Sequence, residues 1–360
     1  MTNRRPPARP PAPTTINDVA REARVSVASV SRVVNGHANV LPETRQRILE
    51  VIDRLRYVPH TAARSLITRR SQMIGVLLPD LHGEFFSELI RGIDGAAREH
   101  GLHVLLSSLH GDAAEMAAAV RAMHGRVEGL LVLAPQLDTT ALRELPPAVP
   151  AVFMNSRVAG RTSSLAIDSY GGARTMVRHL IACGHRTIAH ITGPISNFDA
   201  HERERGYRDE LAASQPAARP RIVRGDFTET SGYEAGRALA AAAARPDAVF
   251  AGNDAMAIGC LAALDALGVA VPDDVAVAGF DGIPLGGFVR PTLTTMRVPI
   301  VELGGGAVHQ LAGLIAQPDT KPAAVTLQPE LVVRDSCGAN RPQRPRAPSS
   351  SRPSRRQRSR

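Results

Sequence analysis

From residue 72 onward the chain keeps one rhythm: a short apolar run, a longer amphipathic stretch, then another apolar run. MIGVLLP is followed by FFSELIRGIDGAAREHG, and HVLLSS by a helical segment carrying Met116 and Val120; GLLVLAP and AVFMN come next. LAID leads into a helix that ends near Cys183-Gly184. TIAHITG, RIVRGDF, AVFAGN and DVAVAGFD follow, separated by helical segments such as ERERGYRDELAAS, GYEAGRALAAAAA and DAMAIGCLAALDALG. Short buried strands alternating with helices of about 10–15 residues require parallel sheets made of βαβ units. A body spanning 72–336 is too long for one simple sheet. Two doubly wound lobes, with a ligand crevice at the carboxyl ends of the strands, are the expected architecture. The fold class is therefore α/β, preceded by a small all-α segment.

That segment lies at 14–58, behind a Pro/Arg-rich extension at 1–13 expected to be disordered. In TINDVAREA, Thr15 can cap a helix while Asp18 reaches back as in a capping box. Ile16, Val19, Ala20 and Ala23 then form one apolar stripe. Ser26 can cap a second helix, VSVASVSRVV. A third is expected from Pro42 to Arg56, with Ile48, Val51, Ile52 and Leu55 inward. Valine and serine are mediocre helix formers. Packing of Val30, Val33 and Val34 against the neighbouring helices, not propensity, must hold the second helix.

Charge separates the parts. The net charge is +9, yet residues 1–71 carry 13 arginines against five acids, and the tail 341–360 carries eight arginines and no acid. The body between them is acidic on balance. A basic N-terminal module suggests a polyanion partner, nucleic acid first. The Arg/Pro/Ser-rich segment 337–360 reads as a disordered tail.

Several classes are excluded as expectations. No run of about 18 apolar residues is present and the N-terminus has no apolar core of a signal peptide, so no membrane partner and a cytoplasmic location are expected, nucleoid-associated when bound to DNA. The three cysteines, Cys183, Cys260 and Cys337, are widely spaced. They fit neither a disulfide framework nor a zinc motif, so reduced thiols and no metal are expected. Lys321 is the only lysine, with no Walker-type loop around it. No HExxH, G-x-S-x-G or dinucleotide-binding glycine pattern occurs, so neither catalysis nor a cofactor is expected.

Two short helices joined by a tight turn inside a basic segment read as a helix-turn-helix. The outer side of VSVASVSRVVNG then carries Val27, Ala28, Ser31 and Arg32. Arg32 can offer two donors to guanine O6 and N7, and Val27 or Ala28 can touch a thymine methyl. An ordinary three-helix bundle with a solvated arginine is the alternative.

Here the sequence resembles the DNA-binding head of the lactose-repressor/galactose-repressor (LacI/GalR) family. The shared elements are TINDVA, VSVASVSRVVN, ETR, the Tyr57-x-Pro59 step and ARSL. The resemblance implies double-stranded DNA as partner and a homodimer on a near-palindromic operator. Val27, Ala28 and Arg32 match base-reading positions, and Ser26, Ser31 and Asn35 match positions near phosphates; Thr15 and Ser29 are counted with them as DNA-binding. HTAARSL, within a hinge and linker at 59–71, matches a hinge helix in which Ala63 and Leu66 meet the minor groove, Leu66 as a wedge at the operator centre. Arg24 stands where a turn glycine is usual, and Leu41 where a polar helix cap is usual.

The resemblance extends along the body to about Asp335 as a periplasmic-binding-protein-like core. It implies an N-lobe at about 72–168 plus 298–325 and a C-lobe at about 169–297 plus 326–336. It also implies a small polar effector, a sugar or related metabolite, held between them. The matching positions are Phe85, Phe86, Asn155, Arg203, Phe227, Asn253 and Asp281. Taken on its own, Asn253 could equally cap the next helix, and Asp281 could be a turn residue. His201 could line the same cleft. Gly83-Glu84 replaces a usual Asn-Pro, and no tryptophan is present to stack on a sugar. The implied function is a ligand-responsive transcriptional regulator, in the repressor mould. A stand-alone sugar-binding transport protein and a non-specific architectural DNA binder are the alternatives.

Overall fold

A computed structural model describes residues 14–34, 39–57, 71–109, 113–133, 149–156 and 162–339. The expected N-terminal extension, Asn35, the hinge positions Ala63 and Leu66, and the tail from residue 340 lie outside these. The chain separates into two compact units, 1–72 and 73–360, each taken by itself below.

The first unit holds α1 (Ile16–Glu22), α2 (Val27–Val34) and α3 (Pro42–Arg54). Thr15 and Asp18 form the reciprocal capping box at the start of α1. The Ser26 hydroxyl accepts the Ser29 amide at 3.1 Å and so caps α2. Helix α3 starts on Pro42 with no side-chain cap from Leu41. Proline tolerates that start because its missing N–H would be unpaired in any case. Val19, Ala23, Val30, Val33, Ile48, Val51 and Tyr57 make a closed core. Burying each of its larger side chains contributes roughly 1.5–3 kcal/mol. The turn between α1 and α2 puts Arg24 at φ 53, the left-handed region that glycine ordinarily fills.

The second unit begins with β1 (Met73–Leu78), α4 (Glu84–Glu99), β2 (His103–Ser108), α5 (Ala113–Met123), β3 (Gly129–Leu133), β4 (Ala151–Met154) and β5 (Ser163–Ile167). It continues through α6 (Ser169–Ala182), β6 (Ile188–Thr192), α7 (Phe198–Ser214), β7 (Arg221–Arg224), α8 (Glu229–Ala240), β8 (Ala248–Ala251), α9 (Asp254–Ala266) and β9 (Ala276–Asp281). β10 (Thr294–Arg297), α10 (Ile300–Ala316), β11 (Ala324–Leu327) and β12 (Glu330–Val332) complete it. One sheet has the order β11-β5-β4-β3-β1-β2 and the other β12-β10-β9-β8-β6-β7. Pairings are parallel except at the far edge of the second sheet, where β12 runs antiparallel to β10. The two-residue link from β11 starts β12 at the edge where the parallel strands end, so β12 enters the second sheet running against them.

Among the described residues the chain passes between the sheets three times, after β5, after β10 and after β11. Strand β11 runs to Leu327, so the last passage lies two residues beyond the boundary drawn from sequence. Helix α10 returns to the first sheet and packs on α4 so closely that a Cβ on Gly92 would lie 2.2 Å from the Val301 carbonyl oxygen. The C-terminal boundary also needs correction. Cys337, expected as the first residue of a free tail, is fully buried together with Ser336 in a 3-10 turn at Asp335–Cys337. Ser336 Oγ donates to the Val277 carbonyl at 2.6 Å and accepts the Thr294 amide at 2.8 Å, which stitches this turn to β9 and β10.

Candidate ligand cleft and nucleic-acid interface

Parallel strands deliver their following loops to one edge, so both sheets present loops to a common crevice. A cavity of about 490 Å³ opens there. All seven positions taken from the sequence line it: Phe85, Phe86 and Asn155 from the first sheet's side, and Arg203, Phe227, Asn253 and Asp281 from the second's. The half-buried Phe85 and Phe86 meet edge to face, with centroids 5.4 Å apart, at the start of α4. His201 does not line the cleft. It is turned outward beside Glu202, 3.5 Å away.

Asn253 satisfies both of its readings. Its Oδ1 accepts the Met256 amide at 2.9 Å and caps α9, while Nδ2 donates to the Phe227 carbonyl at 3.0 Å. Asn155 is tied similarly, its Oδ1 accepting the Ile167 amide at 3.0 Å. Each amide oxygen is thus committed to backbone; the Asn155 NH2 and the second N–H of Asn253 remain to face a ligand.

Arg203 is the hub. It is 4% exposed, and its Nη2 lies 3.2 Å from Asp281 Oδ1. Nη1 donates to the Gly252 carbonyl and Nε donates to Ser169 Oγ at 3.4 Å. Ser169 in turn donates to Asp199 at 2.9 Å. The guanidinium carbon also lies over the Phe280 ring, 3.9 Å from its centroid. A charge buried this deeply persists only when paired and hydrogen-bonded.

Burial pushes the Asp281 carboxyl up to about 6, with the Asp199 charge adding to that rise and Arg203 opposing it. Asp199 is raised by burial as well. Beneath them Asp254 accepts the amides of Gly282 and Ile283 at 2.8 and 2.9 Å and the Thr295 hydroxyl at 2.6 Å. Burial and the neighbouring Asp281 push it up to about 8 against those donors. Asp254 fixes the strand end on which Asp281 sits. Asn155, Phe227 and Asp281 all have positive φ (44°, 74° and 109°), so three cleft side chains stand on left-handed backbone.

Sequence reasoning missed Asn197 and Asp199, both lining the cleft. The signal was present: SNFDA follows the carboxyl end of TIAHIT, and Asn197 caps α7 by accepting the Ala200 amide. Asp80, Glu84 and Asp226 also line it.

On the first unit, Val27, Ala28 and Arg32 are exposed on one side of α2, opposite the buried Val30 and Val33. Ser26 and Ser29 sit at its N-terminal end, with hydroxyls 3.0 Å apart, and Ser31 is half-buried. Thr15 is exposed, but its hydroxyl is engaged by Asp18 at 2.7 Å. Small side chains along the first turn of α2 leave its backbone able to approach a groove closely.

Residues 15–60 match the profile of bacterial regulatory proteins of the lacI family, and residues 177–337 match the periplasmic binding protein-like domain. Catabolite control protein A of Priestia megaterium is 35% identical over 327 residues, covering 89% of this chain and 98% of that protein. The ribose operon repressor of Escherichia coli K12 is 37% identical over 327 residues, covering 89% of this chain and 99% of that protein. The crystal structure of the lac repressor dimer bound to operator and the anti-inducer ONPF superposes with a TM-score of 0.82 at 30% identity, covering 90% of this chain and 99% of that one.

Proposed function

The chain belongs to the lacI family of bacterial regulatory proteins, and from that membership we propose a repressor whose homodimer sets two α2 helices into successive major grooves of a near-palindromic operator. Val27, Ala28 and Arg32 read bases, while Thr15, Ser26, Ser29 and Ser31 position the helix against the backbone. The protein acts in the cytoplasm on nucleoid DNA, and the function needs no catalytic step. Among the described residues no helix is long and apolar enough to cross a membrane.

The observation that carries the regulatory half is the convergence of seven side chains from both sheets on one cavity. Its volume falls within the roughly 300–1,000 Å³ of small-molecule sites. Its chemistry narrows the ligand class. Asp80, Glu84, Asp199, Asp226, Glu229 and Asp281 outnumber Arg203, which is already paired. An anion would meet repulsion there. A neutral polyhydroxylated molecule suits the site: hydroxyls donate to the carboxylates and accept from the Asn155 and Asn253 amides, and C–H faces lie on Phe85, Phe86 and Phe227. This favours a sugar over an anionic metabolite. A ligand held from both sides fixes the angle between the lobes, and its preference for one angle is what alters DNA binding.

Selection of bound fragments from genomic DNA, with thermal-shift screening of neutral sugars and sugar phosphates, tests both halves. A two-fold symmetric motif and a stabilising neutral sugar are expected. Recovery of fragments with no shared motif, or stabilisation by anions alone, would overturn the reading.

A further inference from the structure

The cysteines show no metal-binding pattern in sequence, yet the fold gathers two of them around one histidine. His179 and Cys183 are four residues apart at the end of α6, hence on one face of the helix. Cys337 comes from the 3-10 turn after β12, more than 150 residues away in sequence. The His179 Nε2 lies 3.4 Å from Cys337 Sγ and 3.6 Å from Cys183 Sγ. All three ligand atoms fall within 4.8 Å of one another.

The two nitrogen–sulfur distances match those at a shared ion, and the two sulfurs lie within 4.8 Å of each other. With Zn–S near 2.3 Å and Zn–N near 2.0–2.1 Å, tetrahedral angles place a sulfur and a nitrogen about 3.5 Å apart and two sulfurs about 3.8 Å apart. We propose that His179, Cys183 and Cys337 form a Cys2His site for a thiolate-seeking cation, Zn²⁺ in the first instance. Two thiolates and one imidazole supply three ligands, and the fourth position takes water. The fully buried Cys337 is held in place by groups that are not ligands. Ser336 anchors the turn to β9 and β10, Thr292 donates to Asp335 at 2.6 Å, and His185 Nε2 is hydrogen-bonded to the Cys337 carbonyl at 3.0 Å. His179 and Cys183 are half-buried, which leaves the ion a route in. The cation would join the C-terminal turn to α6, the helix whose first residue, Ser169, bonds Arg203 and Asp199 in the cleft. Binding displaces the two thiol protons to solvent, so no oxidant or reductant is required.

The test uses the full-length protein, reduced anaerobically and stripped of metal. Titration with Zn²⁺ against a chromophoric chelator should give one equivalent per chain. Co²⁺ in its place should give the intense thiolate-to-cobalt absorption of a tetrahedral sulfur site. His179→Gln and Cys183→Ser should each weaken Zn²⁺ binding by about 100-fold or more. These half-buried positions keep the test independent of whether Cys337→Ser folds. Cys260→Ala, in a separate part of the second sheet's core, should bind as the parent does. Absence of a stoichiometric Zn²⁺ ion, no cobalt–thiolate absorption, parental affinity in both ligand variants, or a Cys183–Cys337 disulfide in protein acid-quenched from cells would each overturn the proposal.

Discussion

Glu84 Oε2 accepts the backbone amide of Leu285 at 3.1 Å, joining the start of α4 to the loop after β9 across the mouth of the cleft. The two residues belong to different sheets' sides, so this bond forms only at a particular lobe angle. Glu84→Ala should release it at a cost of about 0.5–1.5 kcal/mol to the closed arrangement. Ligand affinity should fall two- to tenfold by calorimetry, and small-angle scattering should show a wider ligand-free core. An unchanged affinity would mean that the contact follows closure without favouring it.

Arg32 stands exposed on the outer side of α2, where it can reach a base edge. Arg32→Ala should cost about 1–3 kcal/mol of operator affinity and relax the preference at one guanine per half-site. Selection from randomised DNA reads this directly. An identical motif from the variant removes the assignment.

The proposed role of Asp281 predicts pH-dependent ligand binding. A ligand hydroxyl that donates to it needs the carboxylate, which burial holds up at about 6. Affinity should therefore weaken as pH falls below about 6, approaching tenfold per pH unit. The ligand-free protein should move oppositely. Its folded state binds the Asp281 proton more tightly than the unfolded chain, so this group's contribution to stability is present below the ordinary value of 3.8 and lost as pH rises through about 6. Asp281→Asn should flatten both profiles. Asp281→Ala should abolish the ligand response yet leave ligand-free operator affinity nearly intact, as gel shifts with and without sugar would record.

Arg24→Gly should stabilise the N-terminal unit, because φ 53 costs an L-residue roughly 1 kcal/mol that glycine does not incur. Greater amide protection in α1 and α2 by hydrogen exchange on the full chain is the expected reading. Weaker operator binding alongside it would show that the Arg24 charge also contributes on DNA.

Periodicity made the elements legible. Alternation of four-residue and fourteen-residue segments leaves few ways to cover a strand such as AVFA on both faces, so the sheets and their crevice followed. Asn253 and Asp281 were marked by the family resemblance, and they stand where strand ends in a parallel sheet point to one edge. Glu84–Leu285 was not readable, since 201 residues separate its partners and one of them contributes only a backbone amide. The same holds for His179 and Cys337: no local pattern encodes a distance that only the passage from β11 to β12 creates. The antiparallel β12 was obscured because three residues give no measurable period.

The threefold passage between the sheets has a consequence for synthesis. The helices α1 to α3 and their core are complete once residue 57 has emerged from the ribosome. The first sheet is not, because α10 and β11 come from 300–327 and must return to strands made more than 130 residues earlier. Domains generally fold as their sequence emerges, N-terminal first. The cleft therefore becomes whole only when almost all of the chain has been translated. A nascent chain acquires its DNA-reading face early and its capacity to be regulated last, and premature termination yields the first without the second.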